Sequence, residues 1–173
     1  GIWMDYLRDG KTQLVNTNKL LKSYNGITGL KTGTTGDAGS CITATATRGN
    51  LSLIGVVLGS TSGKERFTDA ATVLDYGFAN YSMYTPKAPD GAVTDIQVVG
   101  GMQGTVKTAV NETTPILIKK GEEKGITEKL NLPESIDAPI KKGDKVGSVE
   151  YTLDKKKIAE SPITCLLYTS PSP

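Results

Sequence analysis

The chain has 173 residues, with 20 Lys and Arg against 18 Asp and Glu and a net charge of +2, which allows one ordinary domain or two small ones. It contains no histidine, which removes every Ser-His-Asp and Cys-His arrangement and every His-ligated metal site, so acid–base chemistry must fall to Lys, Asp, Glu or Tyr. The longest basic block, Lys155-Lys156-Lys157, reads as solvated surface lysines and predicts neither a nucleic-acid nor a membrane partner.

Asp9-Gly10 is a turn signal between Ile2-Trp3-Met4 and Gln13-Leu14-Val15, and predicts a short hairpin. Gly29-Leu30-Lys31-Thr32-Gly33 follows, with the last three residues at the end of a predicted strand. After it, Thr43, Thr45 and Thr47 alternate with Ile42, Ala44 and Ala46, which is the period of a strand. Arg48-Gly49-Asn50 is turn-like and Leu51–Leu58 is almost continuously apolar, so residues 40–58 read as a hairpin buried on at least one face. Cys41 within it reads as a small buried hydrophobe; Cys165 is too distant in sequence to outline a disulfide framework or zinc site with it. Ser62-Gly63-Lys64-Glu65 has the form of a capping box and predicts a helix start. Phe67, Ala70, Ala71, Leu74 and Phe78 then recur at helical spacing as an apolar stripe able to lie on the preceding sheet.

Thr85-Pro86-Lys87-Ala88-Pro89-Asp90-Gly91 breaks this pattern with the composition of a domain boundary. Beyond it Val93–Val99, Thr105–Val110, Pro115–Lys119 and Val146–Leu153 are short strand candidates with no helix among them, which predicts a small all-β sandwich. The resulting division is a first domain over 1–85, a linker at 86–91 and a β-rich domain over 92–164. Residues 165–173 end in a Ser/Pro run and read as an artefactual or disordered tail.

Two stretches imitate a phosphate-binding loop and fail. Gly59-Ser60-Thr61-Ser62-Gly63-Lys64-Glu65 is one residue short and has Glu where a magnesium-binding hydroxyl belongs; in Gly26–Thr32 the lysine follows Leu, not Gly. Lys31-Thr32-Gly33 alone is a weak signal. In order with it, however, stand Asn16-Thr17-Asn18-Lys19-Leu20-Leu21, Thr34-Thr35, Ala38-Gly39-Ser40-Cys41, Leu53–Gly59, Lys64-Glu65-Arg66-Phe67 and Leu74-Asp75-Tyr76-Gly77-Phe78. Together these resemble the low-molecular-mass D-alanyl-D-alanine carboxypeptidases of the penicillin-binding family, over nearly all of residues 12–80. Residues 86–164 are similar in position and style to the β-rich domain that follows the catalytic domain in those enzymes.

The resemblance implies an α+β fold: part of a penicillin-binding, β-lactamase-like transpeptidase domain, with an antiparallel sheet and a C-terminal helix, followed by the small all-β sandwich. It implies acyl transfer by a serine of a Ser-x-x-Lys motif, assisted by Ser-x-Asn and Lys-Thr-Gly elements. No serine of this chain has a lysine three residues later, so no nucleophile is expected in it. Ser23-Tyr24-Asn25 fits Ser-x-Asn but lies just before Lys31, whereas the family's element sits well upstream, so the match is a coincidence. The chain would supply one wall of the cleft, with Lys31, Thr32 and Gly33 as its catalytic motif. Lys31 would bond the absent Ser-x-Asn hydroxyl and hold a positive potential, Thr32 would offer its hydroxyl to the substrate carboxylate, and Gly33 would leave room for a peptide along the strand edge. Thr34 and Arg66 would be substrate-binding, through an oxyanion-holding backbone N–H and a guanidinium fork for the terminal carboxylate.

The partners so implied are the peptidoglycan pentapeptide stem and β-lactams, with no metal and no cofactor. The location implied is extracytoplasmic, with membrane association through an anchor not in this sequence. Gly1–Asp9 lacks the features of an export signal, and no apolar run nears the roughly 18 residues of a membrane span. A class A β-lactamase or a transpeptidase shares the same motifs; the trailing β-domain and the Lys-Glu-Arg-Phe helix start favour the carboxypeptidase. A third expectation, of another class, is that the β-domain is a binding or spacer module.

Overall fold

A computed structural model describes residues 4–7 and 9–167. The chain divides into two compact units, Gly1–Ser82 and Met83–Pro173.

In the first unit, β1 (Met4–Leu7) and β2 (Thr12–Val15) pair antiparallel from Met4↔Val15 to Leu7↔Thr12. Asp9 and Gly10 both take positive φ, 54° and 84°, in the loop between them. Paired left-handed residues are what a tight hairpin demands and what an Asp-Gly pair tolerates, so the turn signal led to the right element. Ile2 and Trp3, expected in its first strand, lie outside the described residues.

A one-turn helix, α1 (Leu20–Ser23), leads to β3 (Ile27–Thr35), β4 (Gly39–Arg48) and β5 (Leu51–Ser60), a three-stranded antiparallel sheet in that order. The alternation read from the sequence is the alternation of its faces. Ser40, Ile42, Ala44 and Ala46 are buried, while Cys41, Thr43 and Thr45 on the opposite face are only partly covered. Cys41 is therefore not the buried hydrophobe expected: it has threonine's parity in β4, and its thiol donates to the Ala38 carbonyl at 3.2 Å.

Helix α2 (Glu65–Asn80) buries Ala70, Leu74 and Phe78, the centre of the expected stripe. Burying a Leu or Phe side chain stabilises by about 1.5–3 kcal/mol each, which outweighs the weak helix propensity of Thr68, Thr72 and Gly77. Although the helix proper opens at Glu65, the cap is Ser62: its Oγ accepts from Glu65 N–H at 3.1 Å and its carbonyl from Arg66 N–H at 3.3 Å. The helix lies close enough to β5 that a Cβ on Gly77 would stand 2.5 Å from Leu53 Cδ1. At the far end of the sheet Arg48 stacks over Tyr24 (4.9 Å) and Phe78 (4.4 Å), and both Arg48 and the Tyr24 hydroxyl bond Asp75. Burial first, and then the hydrogen bond to the Asp75 carboxylate, push the Tyr24 hydroxyl up to about 12.

The second unit is β-rich. Met83 and Tyr84 belong to β6 (Tyr81–Tyr84), which pairs with β9 (Ile116–Lys119). The remaining strands are β7 (Asp95–Val99), β8 (Thr105–Val110), β10 (Thr127–Asn131), β11 (Ser135–Asp137), β12 (Lys145–Leu153) and β13 (Lys156–Cys165). They form one six-stranded array in the order β10-β12-β13-β8-β7-β11, antiparallel except for β11 on β7. A 3-10 turn, Glu122–Gly125, interrupts the strands. Strand β8 pairs with β7 through Thr105–Lys107 and with β13 through Thr108–Val110. Two buried clusters lie along this array, Ala92-Val149-Tyr151-Ile163 and Val98-Val106-Ile140-Cys165, and half-buried Val146 packs against both.

Residues 86–91 are held to this unit. Pro86 is buried, the Lys87 carbonyl accepts from the Tyr151 hydroxyl at 3.1 Å, and the Ala92 N–H donates to Pro89. The tail expected from residue 165 does not include Cys165. Cys165 is the last residue of β13, pairs with Thr108 and is 1% exposed in a core cluster; residues 168–173 lie outside the described residues. Lys157 is not simply solvated either, since it bonds Glu150 and Glu160 from within the β12–β13 hairpin.

Candidate functional site

Lys31, Thr32 and Gly33 stand inside β3, not at its end as the sequence pattern indicated: the ladder runs on through Thr34↔Ser40 and Thr35↔Gly39. The reason is that Thr34-Thr35 suit a pleated strand as well as any residue before them, so nothing in the triplet stops pairing. Strand β3 is an edge of its sheet among the described residues.

Successive side chains of a strand alternate between faces, and the motif is split accordingly. Thr32 is paired with buried Ile42 and is itself 8% exposed on the face that α2 covers, together with Thr34. Lys31 and Gly33 take the opposite parity and are exposed. The Lys31 ammonium folds back to donate to the Thr32 carbonyl at 2.7 Å. Apart from Gly33 itself and its chain neighbours, no described atom lies within 4 Å of where a Gly33 Cβ would stand, so nothing among the described residues requires glycine there.

Arg66 is brought to this strand from the first turn of α2. Its Nη1 donates to Thr34 Oγ1 at 3.0 Å and to the Gly33 carbonyl at 3.2 Å, across 32 and 33 positions of sequence. The guanidinium also stacks 5.0 Å from the Phe67 ring, and its Nε is buried without a hydrogen-bond partner among the described residues. A cation at a helix N-terminus opposes the helix dipole, so these contacts hold it against an unfavourable field. The Thr32 hydroxyl has a partner that the sequence reading did not single out: Thr17 Oγ1, at 2.5 Å. Thr17 sits between Asn16 and Asn18, residues that entered the reading only as a stretch of resemblance, so the signal was present but carried no role.

Ser23, the coincidental Ser-x-Asn serine, donates its hydroxyl to the Lys19 carbonyl, and the Asn25 carbonyl accepts from Arg48 Nε. The Ser23 hydroxyl is thus spent within its own helical turn.

Residues 4–62, which hold the whole of β3 to β5, match the D-alanyl-D-alanine carboxypeptidase family, and residues 81–168 match the C-terminal domain of penicillin-binding protein 5. The chain belongs to the D-alanyl-D-alanine carboxypeptidases of the penicillin-binding family. It is 38% identical over 167 residues to the D-alanyl-D-alanine carboxypeptidase DacF of Bacillus subtilis, covering 94% of this chain and 43% of DacF. With DacC of Escherichia coli it shares 35% identity over 155 residues, 88% of this chain and 39% of that protein. Among solved structures, penicillin-binding protein 5 from Haemophilus influenzae superposes with a TM-score of 0.72 at 28% identity, over 98% of this chain and 49% of the other. The carboxypeptidase relatives are thus more than twice as long as the stretch they share with this chain, and that stretch is their C-terminal portion.

Proposed function

We propose that this chain forms the Lys-Thr-Gly wall of a serine D-alanyl-D-alanine carboxypeptidase that removes the terminal D-alanine from peptidoglycan stem peptides outside the cytoplasm, the nucleophile residing in a longer protein. The observation that carries this reading is the convergence of Arg66 on Gly33 and Thr34, beside Thr32. A fixed guanidinium next to a hydroxyl at the edge of an accessible strand is the arrangement a peptide ending in a carboxylate requires.

The chemistry runs through an acyl-enzyme. The serine oxygen attacks the penultimate carbonyl, the C–N bond to D-alanine breaks as the amine takes a proton, and water then cleaves the ester to regenerate the serine. In that sequence Lys31 leaves the Thr32 carbonyl to bond a hydroxyl across the cleft, a short swing for a flexible ammonium. The Thr34 backbone N–H faces the oxygen that becomes negative in the tetrahedral intermediate. Thr32 and Arg66 hold the terminal carboxylate, and β-lactams enter the same site because they carry an acylating carbonyl and a carboxylate. A β-lactamase or transpeptidase would use the same wall; the match to the carboxypeptidase family and to its trailing β domain favours the hydrolytic exopeptidase.

In the intact protein, Arg66→Ala should lower kcat/KM for a D-Ala-D-Ala peptide by about 10- to 100-fold, the range for losing a charge-assisted hydrogen bond. Acylation by an ester lacking the free carboxylate should fall far less, with the melting temperature nearly unchanged. Equal losses on both substrates would assign Arg66 a structural role and remove the main support for this reading.

A further inference from the structure

We infer that Thr17 is a positioning residue for the carboxylate: its hydroxyl gives its proton to Thr32 Oγ1 and so leaves the Thr32 proton for the bound anion. The inference rests on the proposal that Thr32 and Arg66 hold a terminal carboxylate.

A threonine hydroxyl has one proton to donate and two lone pairs to accept with. The Thr17 and Thr32 oxygens are 2.5 Å apart, and geometry alone permits either to be the donor. A carboxylate can only accept, so Thr32 can bond it only when its own proton points outward. Thr17 must then be the donor of the pair. A Thr32 hydroxyl that both accepts and donates is polarised along the chain, which strengthens the outward bond.

For this to be a fixed device the Thr17 oxygen must be held in place, and the flanking residues hold it. The Asn18 N–H donates to Asn16 Oδ1 at 2.9 Å, closing a turn around Thr17. Asn18 is itself fully buried and its Oδ1 accepts from the Leu20 N–H at 3.1 Å, tying the turn to the start of α1. Leu20 is 5% exposed and anchors that helix in the core. Thr17 is exposed, whereas Thr32 is buried, so removing the Thr17 hydroxyl takes away an orienting group without opening a cavity.

The test is a set of variants of the intact enzyme, assayed with a D-Ala-D-Ala peptide and with an ester substrate that lacks the free carboxylate. Thr17→Val should lower kcat/KM for the peptide by about 5-fold, the scale of one neutral hydrogen bond, and leave the ester rate within about 1.5-fold. Thr17→Ser should restore the peptide rate. In a Thr32→Val background, Thr17→Val should have no further effect, because the pair acts as a unit. Equal losses on both substrates, no recovery with serine, or independent losses from Thr17→Val and Thr32→Val would overturn the role of Thr17. A carboxylate-selective loss in Arg66→Ala and Thr32→Val, with Thr17→Val unchanged, would overturn this inference alone. Absence of selectivity in all three would overturn the carboxylate reading with it.

Discussion

The two units dispose of their apolar side chains differently. In the second, Val149, Tyr151 and Ile163 are each 0% exposed, and the strands that carry them have charged residues on their other side. In the first, one side of the sheet is closed by α2, while Ile54, Val56 and Leu58 on β5 remain 73%, 57% and 75% exposed. A strand with one solvated face alternates apolar and polar residues, whereas one covered on both faces reads as a continuous apolar run. Leu51–Leu58 is such a run, and the described residues cover only one of its faces. A row of this kind on a soluble surface marks a place where something else packs. The contrast fits the proposal that the first unit belongs to a larger catalytic domain while the second closes its own core.

The sharpest way to break that contrast is to open the second core. Tyr151→Ala should cost about 3–5 kcal/mol, the range for losing a buried aromatic, and should also release the Lys87 carbonyl. Urea unfolding monitored by circular dichroism would measure it, and a loss under about 1 kcal/mol would show that this core is not closed. Thiol labelling compares the two units directly. Cys165, whose thiol is pushed up from its ordinary pKa by burial and then by Asp144, should react with a disulfide reagent on the order of a hundredfold more slowly than partly exposed Cys41. Similar rates would mean that the β13 end opens freely.

A smaller effect is expected at Glu160, which bonds to Lys157, Lys145 and Ser148 hold down to about 2. A carboxylate depressed in the folded state stabilises above its unfolded value, near 4.5, and loses that contribution as the pH falls toward 2. Glu160→Gln should therefore shift the urea midpoint slightly at neutral pH, and the shift should vanish on acidification; a shift that persists at pH 2 would assign it to packing. The smallest stability effect is expected at the uncovered face. Val56→Ser should change stability by no more than about 0.5 kcal/mol while lowering the fluorescence of a bound hydrophobic dye. A large destabilisation there would mean that the face is covered after all.

Much of the first unit was legible in the sequence because its signals are local. Asp9-Gly10, the Thr-x-Thr-x-Thr alternation and the Ser62 cap each act within a few residues, and each led to the right element. Strand β13 was not legible, since Lys, Glu and Pro162 obscure its period. Pro162 is tolerated because β13 pairs with β8 only through Ile163–Cys165, so its missing N–H falls just outside that ladder. Strand β10 was missed because its edge position leaves all but Asn131 exposed and removes any alternation. At the site, motif order pointed to Arg66, but that its Nη1 would meet Gly33 and Thr34 depends on strand register, which no local pattern encodes. The partnership of Thr17 with Thr32 has the same long-range origin.

The register of the three-stranded sheet also bears on which changes of length the gene can tolerate. Thr34, Ser40 and Ser60 stand side by side at one end, and α2 with Arg66 starts just beyond, while the β4–β5 turn at Gly49-Asn50 lies at the other end. Residues gained or lost in that far turn leave the near end in place. A single residue inserted between Arg66 and Ala70 would instead turn Arg66 by about 100° relative to the buried Ala70, Leu74 and Phe78 and carry it away from β3. Inherited insertions should therefore accumulate at Gly49-Asn50 and be purged from Phe67–Asp69, so that one end of the sheet is free to drift while the other is held to a fixed count.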